Sequence, residues 1–348
     1  MIYVVSMKLM FTCPPGLEDI VELELKEKFR SLDVVLKPLN IQGRVLADIP
    51  DSNINDVFSL RSIHHIRRHI SIFTVSTSKD GLNEIYNTIY SMDLRDFLPP
   101  NASFRVTSER IGVHDYTSID IQRVAGQAIV DKCGNKVDLE GFDVEFIVDV
   151  VHDKCIVEIS ISRESLHKRG YRVFEHPAAL RPTIAYGMVR LSNPLEGNVF
   201  VDPMVGGGTI LIEAALHMGS KLKLYGLDIN ERFIEGAKAN AEAAGVSNLI
   251  TLMKGDCTRL SDFIHGIDRI VSNPPYGIRM DPKIGVKKLY SLFASEAYKC
   301  MNDGGRLVII TLKEGVMRKA LLTAGFNILH ERYVLHGDLR TRIFIAEK

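Results

Sequence analysis

Short apolar runs and amphipathic stretches alternate regularly through the second half of the chain. From residue 178, apolar positions recur at helical spacing in one segment and form a continuous run in the next. The predicted order is helix 178–192, strand 198–202, helix 209–217, strand 222–227, helix 231–244, strands 249–253 and 267–272, helix 286–301, strand 305–312, helix 314–323, and strands 326–334 and 339–346. This alternation is typical of an α/β fold with a doubly wound, seven-stranded sheet. No helix separates the last two strands, which predicts an antiparallel C-terminal hairpin.

The first half has shorter elements in a mixed order. Residues 1–60 contain strand-like runs around a segment from Leu17 to Phe29 whose apolar residues lie at roughly helical spacing. They predict an α+β, ferredoxin-like domain, with a further helix at 51–60. A second α+β domain is predicted at 61–162, where residues 104–110 alternate as a strand and a helix begins at Ser118 or Asp120.

Residues 163–177 show no clear period and are rich in basic and aromatic side chains. We interpret them as a linker that also touches a ligand, and a solvated linker is the alternative. The predicted organisation is therefore a ferredoxin-like domain at 1–60, a second domain at 61–162, the linker at 163–177 and the α/β domain at 178–348.

Composition places the chain among ordinary globular proteins, with 46% hydrophobic and 25% charged residues in 348. No apolar run approaches the roughly 20 residues of a membrane span. The first residues lack the features of a signal peptide, so we expect a cytoplasmic protein. The five cysteines are scattered and form no CxxC pair, so we expect neither a disulfide framework nor a metal site.

The net charge of zero conceals an asymmetry between the two halves. Residues 1–165 hold 18 basic and 25 acidic residues, whereas residues 166–348 hold 25 and 18. A nucleic-acid partner usually needs a basic surface. We therefore expect such a surface to be local and to lie in the C-terminal half.

A glycine-rich loop follows the first strand of the predicted sheet. Asp202 ends the strand, and Gly206 and Gly208 precede a helix. A dinucleotide-binding loop would need a third glycine where this chain has Leu211. The acid at the strand end would repel a diphosphate and suits a cationic amino-acid group such as that of S-adenosylmethionine. A plain strand-to-helix turn is the alternative.

Acidic residues also end the next two strands. Asp228 lies about 20 residues beyond the last glycine, the spacing typical of a carboxylate that accepts from ribose hydroxyls. Asp256 follows the third strand and is placed to accept from an adenine amine. Each acid alone could instead be a helix cap, but three at the ends of successive strands form a specific set.

The fourth strand ends in Asn273-Pro274-Pro275-Tyr276. The prolines fix φ and favour extended geometry in the preceding residue, so backbone carbonyls can be held outward. Asn273 adds a neutral acceptor and Tyr276 a flat face. These features predict a socket for a planar group that bears an amine. An ordinary proline-rich turn, with Tyr276 as a core aromatic, is the alternative.

With these motifs, residues 178–348 resemble the class I, Rossmann-type methyltransferases that use S-adenosylmethionine and methylate exocyclic or amide nitrogens. In that family Asn-Pro-Pro-Tyr is the catalytic motif, which implies catalytic roles for residues 273–276. The resemblance implies cofactor contacts from Asp202, Pro203, Gly206, Gly208, Thr209, Asp228, Ile229, Asp256, Cys257 and Asn273. The family loop usually has Cys and Ser at Val205 and Gly207, and we expect little effect because backbone groups make most contacts. The front half resembles a ferredoxin-like domain followed by a THUMP domain, an RNA-binding module.

Three further stretches, 166–172, 177–182 and 335–342, are similar to the guanine-N2 RNA methyltransferases. This similarity implies a tRNA partner and methylation of the guanosine N2 amine at position 6 of the acceptor stem, or of 23S rRNA. Relatives that act at position 10 more often carry Asp-Pro-Pro-Tyr, which disfavours that site. We expect a monomer that needs no metal and no membrane.

Basic residues near the predicted cavity are candidate phosphate contacts: Lys168, Arg169, Arg172 and Arg279. A solvated helix start is the alternative for the last of these. DNA adenine or protein glutamine methylation also uses Asn-Pro-Pro-Tyr, but neither needs a THUMP-like domain. A non-catalytic RNA-binding protein is disfavoured by the intact motif set, and a nicotinamide dehydrogenase by the missing third glycine.

Overall fold

The computed structural model describes residues 6–29, 32–278 and 282–348, and the chain divides into two units. One unit comprises residues up to Thr12, Leu25–Leu60 and His65–Ser165; the other comprises Cys13–Glu24, Arg61–His64 and Leu166–Lys348. Two short segments, 13–24 and 61–64, therefore group with the C-terminal part of the chain. No helix among the described residues is long and apolar enough to cross a membrane.

The elements of the first half are a mixture of strands and helices. They are β1 (Ser6–Thr12), α1 (Glu18–Lys28), β2 (Val34–Leu36), β3 (Arg44–Pro50), β4 (His65–Thr74), α2 (Asp80–Ser91), β5 (Phe104–Thr107), β6 (Arg110–Ile111), α3 (Ser118–Cys133), β7 (Val144–Val151) and β8 (Lys154–Ser160). The predicted helix at 51–60 is a 3-10 helix over Asp51–Ser59. The strands form one sheet in the order β2-β3-β1-β4-β8-β7-β5, with β6 paired to β7.

This sheet takes strands from both domains predicted in the front half, and the boundary between those domains stays a prediction. Helices α2 and α3 supply Ile85, Ile89 and Ala125 to a core that also holds Phe104 and Phe146. Helix α3 begins after Thr117, whose side chain accepts from the Asp120 N–H while Asp120 accepts from the Thr117 N–H. This capping box satisfies two backbone donors and explains why the helix starts at Ser118.

The second unit alternates helices and strands as predicted. Its elements are α4 (Pro182–Leu191), β9 (Val199–Asp202), α5 (Thr209–Met218), β10 (Lys223–Asp228), α6 (Glu231–Ala243), β11 (Ile250–Lys254), β12 (Ile267–Ser272), α7 (Val286–Cys300), β13 (Met301–Thr311), α8 (Glu314–Ala324), β14 (Asn327–His336) and β15 (Leu339–Glu347). The helix predicted from residue 178 begins only at Pro182, whose ring is suited to a first helical position because it has no N–H to leave unpaired.

The strand order β11-β10-β9-β12-β13-β15-β14 confirms the doubly wound sheet. Strands β9 to β13 are parallel, and the C-terminal hairpin pairs antiparallel to β13, as expected. The order reverses between β9 and β12, so their carboxyl ends flank the crevice where such sheets bind ligands.

Both faces of this sheet are covered by helices. Phe200 and Val271 lie in one buried cluster, with residues of α4, α5 and α6. The neighbouring residues Val201 and Ile270 lie in the other cluster, with residues of α7 and α8. Successive strand side chains point to opposite faces, which is why neighbouring apolar residues of these central strands contribute to different clusters.

Candidate active site

A cavity of about 820 Å³ opens at the carboxyl ends of β9, β10, β11 and β12. Most of the residues predicted to bind cofactor or substrate line it together: Asp202, Pro203, Gly206, Thr209, Asp228, Ile229, Asp256, Cys257 and residues 273–276. Gly208 is not part of the wall. It precedes α5 with φ of 80°, and a Cβ there would lie 3.2 Å from the Ala237 side chain, so Gly208 serves the close packing of α5 on α6.

The glycine loop is fixed by three hydrogen bonds to two neighbouring elements. Val205 N–H donates to the Leu227 carbonyl at 2.8 Å, and Gly206 N–H donates to Asp228 Oδ2 at 3.0 Å. Asn240 Nδ2 donates to the Gly207 carbonyl at 2.8 Å. Gly206 has φ of 51°, a left-handed conformation that favours glycine. The loop is thus held by β10 and α6.

Asp202 is 2% exposed and ends β9 at the cavity wall. Ser272 Oγ donates to its Oδ1 at 2.6 Å, and Met204 N–H donates to the same oxygen at 3.2 Å. Burial raises the pKa of Asp202 to about 7, and these two hydrogen bonds partly oppose that rise. A cation in the cavity would favour the ionised form of this carboxylate.

Asp228 accepts hydrogen bonds through both carboxylate oxygens. Oδ2 accepts from Gly206 N–H and Oδ1 from Asn230 N–H, each at 3.0 Å. Burial raises the pKa of Asp228, while these backbone bonds lower it. The next residue, Ile229, lines the cavity with a side chain that is 69% exposed. A carboxylate beside an exposed aliphatic group suits a ribose that carries a flat base.

Asp256 caps its own loop. Its Oδ1 accepts from Thr258 N–H at 2.9 Å and from Thr258 Oγ1 at 2.8 Å, at the start of the 3-10 helix Cys257–Asp262. The helix-cap alternative is therefore present in the structure, and an adenine contact from this residue stays a prediction. Burial raises the pKa of Cys257 to about 12, so its thiol stays protonated at neutral pH.

The Asn273–Tyr276 loop presents its polar groups in a defined orientation. Asn273 Nδ2 donates to the Ala178 carbonyl at 3.3 Å, which sets the direction of the side-chain amide. Its Oδ1 accepts from the Tyr276 hydroxyl at 2.5 Å. Burial raises the pKa of Tyr276, so this hydroxyl remains a neutral donor. An amide oxygen has two lone pairs, and one remains for a ligand amine.

The four predicted phosphate contacts have different surroundings. Lys168 is exposed and Arg172 half-buried. Arg169 is held inside the unit, because its guanidinium donates to the carbonyls of Leu166 and Arg61 and lies 3.4 Å from the Glu213 carboxylate. This placement disfavours the predicted phosphate contact from Arg169. Arg279 lies outside the described residues.

Arg181 adds a cation that the sequence did not single out. Burial lowers the pKa of His167, and the nearby charges of Arg181, Lys168, Arg169 and Arg172 lower it further. Each of these cations therefore lies within electrostatic range of the His167 ring. We refer to Lys168, Arg172 and Arg181 as the basic cluster.

Two further residues shape the cavity wall and were missed in the sequence. Asn240 is 1% exposed; its Oδ1 accepts from Phe174 N–H at 2.8 Å, and its Nδ2 donates to the Phe174 carbonyl at 3.0 Å as well as to Gly207. His176 lines the cavity and packs edge-on against Phe233, with ring centroids 4.3 Å apart. The segment predicted as a linker therefore forms part of the cofactor cavity.

The cavity fits S-adenosylmethionine. A buried carboxylate at Asp202 suits its cationic amino-acid end, Asp228 suits its ribose, and Ile229 offers an apolar surface to adenine. A doubly wound sheet that places such a cavity beside an amine socket defines a class I methyltransferase, and S-adenosylmethionine is its cofactor.

Comparison with known proteins identifies the family. Residues 169–342 match the RMKL-like methyltransferase domain, and residues 79–160 match the THUMP domain. The chain is 33% identical to the tRNA (guanine(6)-N2)-methyltransferase of Methanocaldococcus jannaschii, over 96% of this chain and 98% of that protein. It is 30% identical to the Thermus thermophilus protein of the same name, over 97% and 98%.

A solved structure shows the same architecture. The crystal structure of TrmN from Thermus thermophilus superposes with a TM-score of 0.81 and 30% identity, and the match covers 98% of this chain and 99% of that one. The chain belongs to the family of THUMP-containing RMKL-like methyltransferases.

Proposed function

We propose that this protein transfers a methyl group from S-adenosylmethionine to the N2 amine of guanosine 6 in tRNA, giving N2-methylguanosine. The observation that carries the proposal is the amine socket at Asn273, which presents neutral acceptors at the edge of the cofactor cavity. The relatives named for this reaction match the chain over nearly its whole length, which supports the choice of tRNA and of position 6.

Asn273 and Pro274 orient the amine in this proposal. The guanine N2 lone pair is delocalised into the ring, so the amine is a weak nucleophile. Hydrogen bonds from its two N–H groups to Asn273 Oδ1 and the Pro274 carbonyl favour a pyramidal nitrogen whose lone pair points toward the cofactor. This is catalysis by positioning and electrostatics. An amide cannot act as a base, so the amine proton leaves to solvent.

Tyr276 stacks on the guanine in this account. A base inside a stem must leave its stack to reach such a socket, and an aromatic ring offers it a new stacking surface. The Tyr276 ring is held beside the amine acceptor by its hydroxyl bond to Asn273. When bound, S-adenosylmethionine supplies an electrophilic methyl group on its sulfonium.

Asp202, Pro203, Gly206, Thr209, Asp228, Ile229, Asp256 and Cys257 line the cofactor cavity and hold the cofactor in this proposal. Gly208 does not line the cavity, but it allows the close packing that positions the start of α5 beside the cofactor. The basic cluster of Lys168, Arg172 and Arg181 binds phosphates of the tRNA backbone. We further infer that the protein works as a monomer in the cytoplasm.

Nucleoside mass spectrometry tests the reaction. Unmodified tRNA and rRNA are incubated with the protein and methyl-labelled S-adenosylmethionine, then digested to nucleosides. The proposal predicts label in N2-methylguanosine from tRNA. Label in N6-methyladenosine would contradict the choice of base, and label in rRNA alone would contradict the choice of RNA.

A further inference from the structure

Tyr290, on α7, contacts the Asn273–Tyr276 loop from the protein interior. Its side chain is fully buried, and its hydroxyl lies 3.0 Å from the Pro275 carbonyl and 2.9 Å from Thr311 Oγ1. Lys313 N–H donates to Thr311 Oγ1 at 2.9 Å. These groups form one continuous chain of hydrogen bonds that ends at the loop.

The chemistry of the groups gives this chain a direction. A carbonyl can only accept, so the single proton of the Tyr290 hydroxyl is donated to Pro275. Thr311 must then donate to the Tyr290 oxygen while it accepts from the Lys313 N–H. Burial raises the pKa of Tyr290 to about 12, so the hydroxyl keeps this proton through the neutral range. We refer to Lys313 N–H, Thr311 and Tyr290 as the relay.

The relay ties the loop to rigid neighbouring elements. Thr311 is the last residue of β13 and is fully buried. Strand β13 pairs in parallel with β12, whose end leads directly into Asn273. Hydrogen bonds in a buried chain strengthen one another, so a change at Thr311 reaches Pro275 through Tyr290.

The relay also determines which carbonyl of the loop remains for a ligand. Pro274 and Pro275 have fixed φ, and the proline after it restricts Pro274 to extended geometry. The ψ angle of Pro275 is then the main variable, and it sets the direction in which Tyr276 leaves the loop. The bond from Tyr290 fixes this angle and engages the Pro275 carbonyl.

We propose that Tyr290, supported by Thr311, is a positioning residue for amine methylation, because it holds Pro275 so that Asn273 Oδ1, the Pro274 carbonyl and the Tyr276 ring keep their arrangement. This inference rests on the proposed methyl transfer at the loop. It adds a residue that does not touch the substrate and acts through Pro275.

Tyr290→Phe separates the hydroxyl from the ring, which packs in the core with Leu289 and Phe293. We expect kcat for methyl transfer to tRNA to fall roughly tenfold, since small misplacements of reacting groups carry large kinetic costs. The dissociation constant for S-adenosylmethionine and the KM for tRNA should change less than about twofold, because the variant removes no group that touches either ligand.

Thr311 provides a second, independent variant. Thr311→Val keeps the shape but removes the hydroxyl, so kcat should fall as in Tyr290→Phe. Thr311→Ser keeps the hydroxyl and should retain most of the wild-type kcat. Because the two residues act in one relay, the double variant Tyr290→Phe/Thr311→Val should lose little more than Tyr290→Phe alone.

Tyr186→Phe is the matched control for stability. Tyr186 is 1% exposed, and its hydroxyl accepts from Arg190 at 2.9 Å, away from the cavity wall. This variant should lower the unfolding midpoint while kcat at 25 °C stays unchanged.

Three results would overturn the positioning role of Tyr290 and Thr311. The first is a kcat of Tyr290→Phe that equals the wild-type value. The second is a kcat loss in Tyr186→Phe as large as the loss in Tyr290→Phe. The third is the same kcat loss in Thr311→Ser and in Thr311→Val. A wild-type protein that transfers no methyl group to tRNA would overturn the proposed function and this inference with it. Transfer by the wild type together with an unimpaired Tyr290→Phe would overturn this inference alone.

Discussion

The Tyr276 hydroxyl donates a hydrogen bond to Asn273 Oδ1 at 2.5 Å. The two residues that the sequence suggested as acceptor and stacking surface are therefore joined. The Asn273 Nδ2 of the same amide donates to the Ala178 carbonyl. The Tyr276 hydroxyl uses one lone pair of Asn273 Oδ1, and the second lone pair can accept from an amine. The Tyr276 ring, which would stack on the base, lies beside this acceptor.

Asn273→Ala removes the side-chain acceptor of the amine. We expect kcat to fall about a hundredfold, as for removal of a single preorganised polar group from other active sites. Calorimetric binding of S-adenosylmethionine should stay within about tenfold of wild type. Asn302→Ala, at an exposed side chain that bonds the Gly266 carbonyl, is the control and should leave kcat unchanged. Near-normal turnover of Asn273→Ala with intact cofactor binding would refute the mechanism.

Tyr276→Phe and Tyr276→Ala separate the hydroxyl from the ring. Stacking of a base on an aromatic side chain contributes about 1–3 kcal/mol, so the Ala variant should lose roughly tenfold to a hundredfold in kcat/KM for tRNA. The Phe variant keeps the ring and loses only the bond to Asn273, so its loss should be smaller. Steady-state kinetics at saturating cofactor measure both. Equal losses in the two variants would argue against stacking.

Asp202→Asn should change how stability depends on pH. Burial raises the pKa of Asp202 to about 7, so the folded protein favours the protonated carboxyl. The contribution of this protonation to the free energy of unfolding is complete below the ordinary pKa of an aspartate. It is lost as pH rises through the folded-state pKa of Asp202. At about 1.4 kcal/mol per pKa unit, the stability of the Asn variant relative to wild type should increase by roughly 2–3 kcal/mol between pH 5 and pH 8.

Urea unfolding without cofactor measures this difference. Asp303→Asn is the control, because that side chain is 96% exposed and its effect should not vary over this range. Saturating S-adenosylmethionine should reduce the difference, since a cation favours ionised Asp202. A difference between the Asp202 variant and wild type that does not change with pH would contradict the assignment.

Glu213→Gln should destabilise the second unit. Glu213 is fully buried, and its carboxylate bonds Arg61 at 2.7 Å and the Tyr171 hydroxyl at 2.7 Å, with Arg169 at 3.4 Å. Loss of one partner of a buried ion pair costs about 3–5 kcal/mol, because the remaining charge stays buried. We expect a loss of roughly 3 kcal/mol in the free energy of unfolding.

Asp262→Asn is the control for Glu213. Asp262 pairs with Arg259 at the surface, where the two side chains are 47% and 73% exposed. Its loss should change the free energy of unfolding by less than about 0.5 kcal/mol. Similar effects of the two substitutions would mean that Glu213 does not organise this part of the chain.

Lys168→Ala and Arg181→Ala should weaken tRNA binding through the basic cluster. Removal of one cation that binds a phosphate should reduce the salt-dependence slope of log K by about 1. Cofactor affinity should not change. Lys223→Ala is the control. Lys223 is exposed at the amino end of β10, whereas the cavity lies at the carboxyl ends of the strands, so this variant should leave the slope unchanged. Unchanged slopes for both variants would show that the basic cluster does not bind tRNA phosphates.

The sheet and the position of the cavity could be predicted because they depend on local patterns. Asp202 and Asp228 end apolar runs that form parallel strands, so both acids lie at one edge of the sheet. The start of α4 was predicted four residues too early, because the apolar residues before Pro182 fit a helical period. The proline, which suits a first helical position, marks the observed start.

Interactions between residues far apart in sequence could not be predicted. Asn240 bonds Phe174, which is 66 residues away, and nothing in either segment indicates the partner. Lys168 and Arg169 are neighbouring basic residues that the sequence does not distinguish. In the structure the Arg169 guanidinium is internal, whereas Lys168 is exposed. Burial depends on packing, so the sequence indicated a basic segment without showing which of its charges face solvent.

Replacement of guanosine by inosine at position 6 tests whether the N2 amine receives the methyl group, because the two bases differ only in that amine. Two otherwise identical tRNAs, with guanosine or inosine at this position, are incubated with the protein and labelled S-adenosylmethionine. We predict stoichiometric labelling of the guanosine tRNA and none of the inosine tRNA. Equal labelling of both would show that the methyl group goes elsewhere.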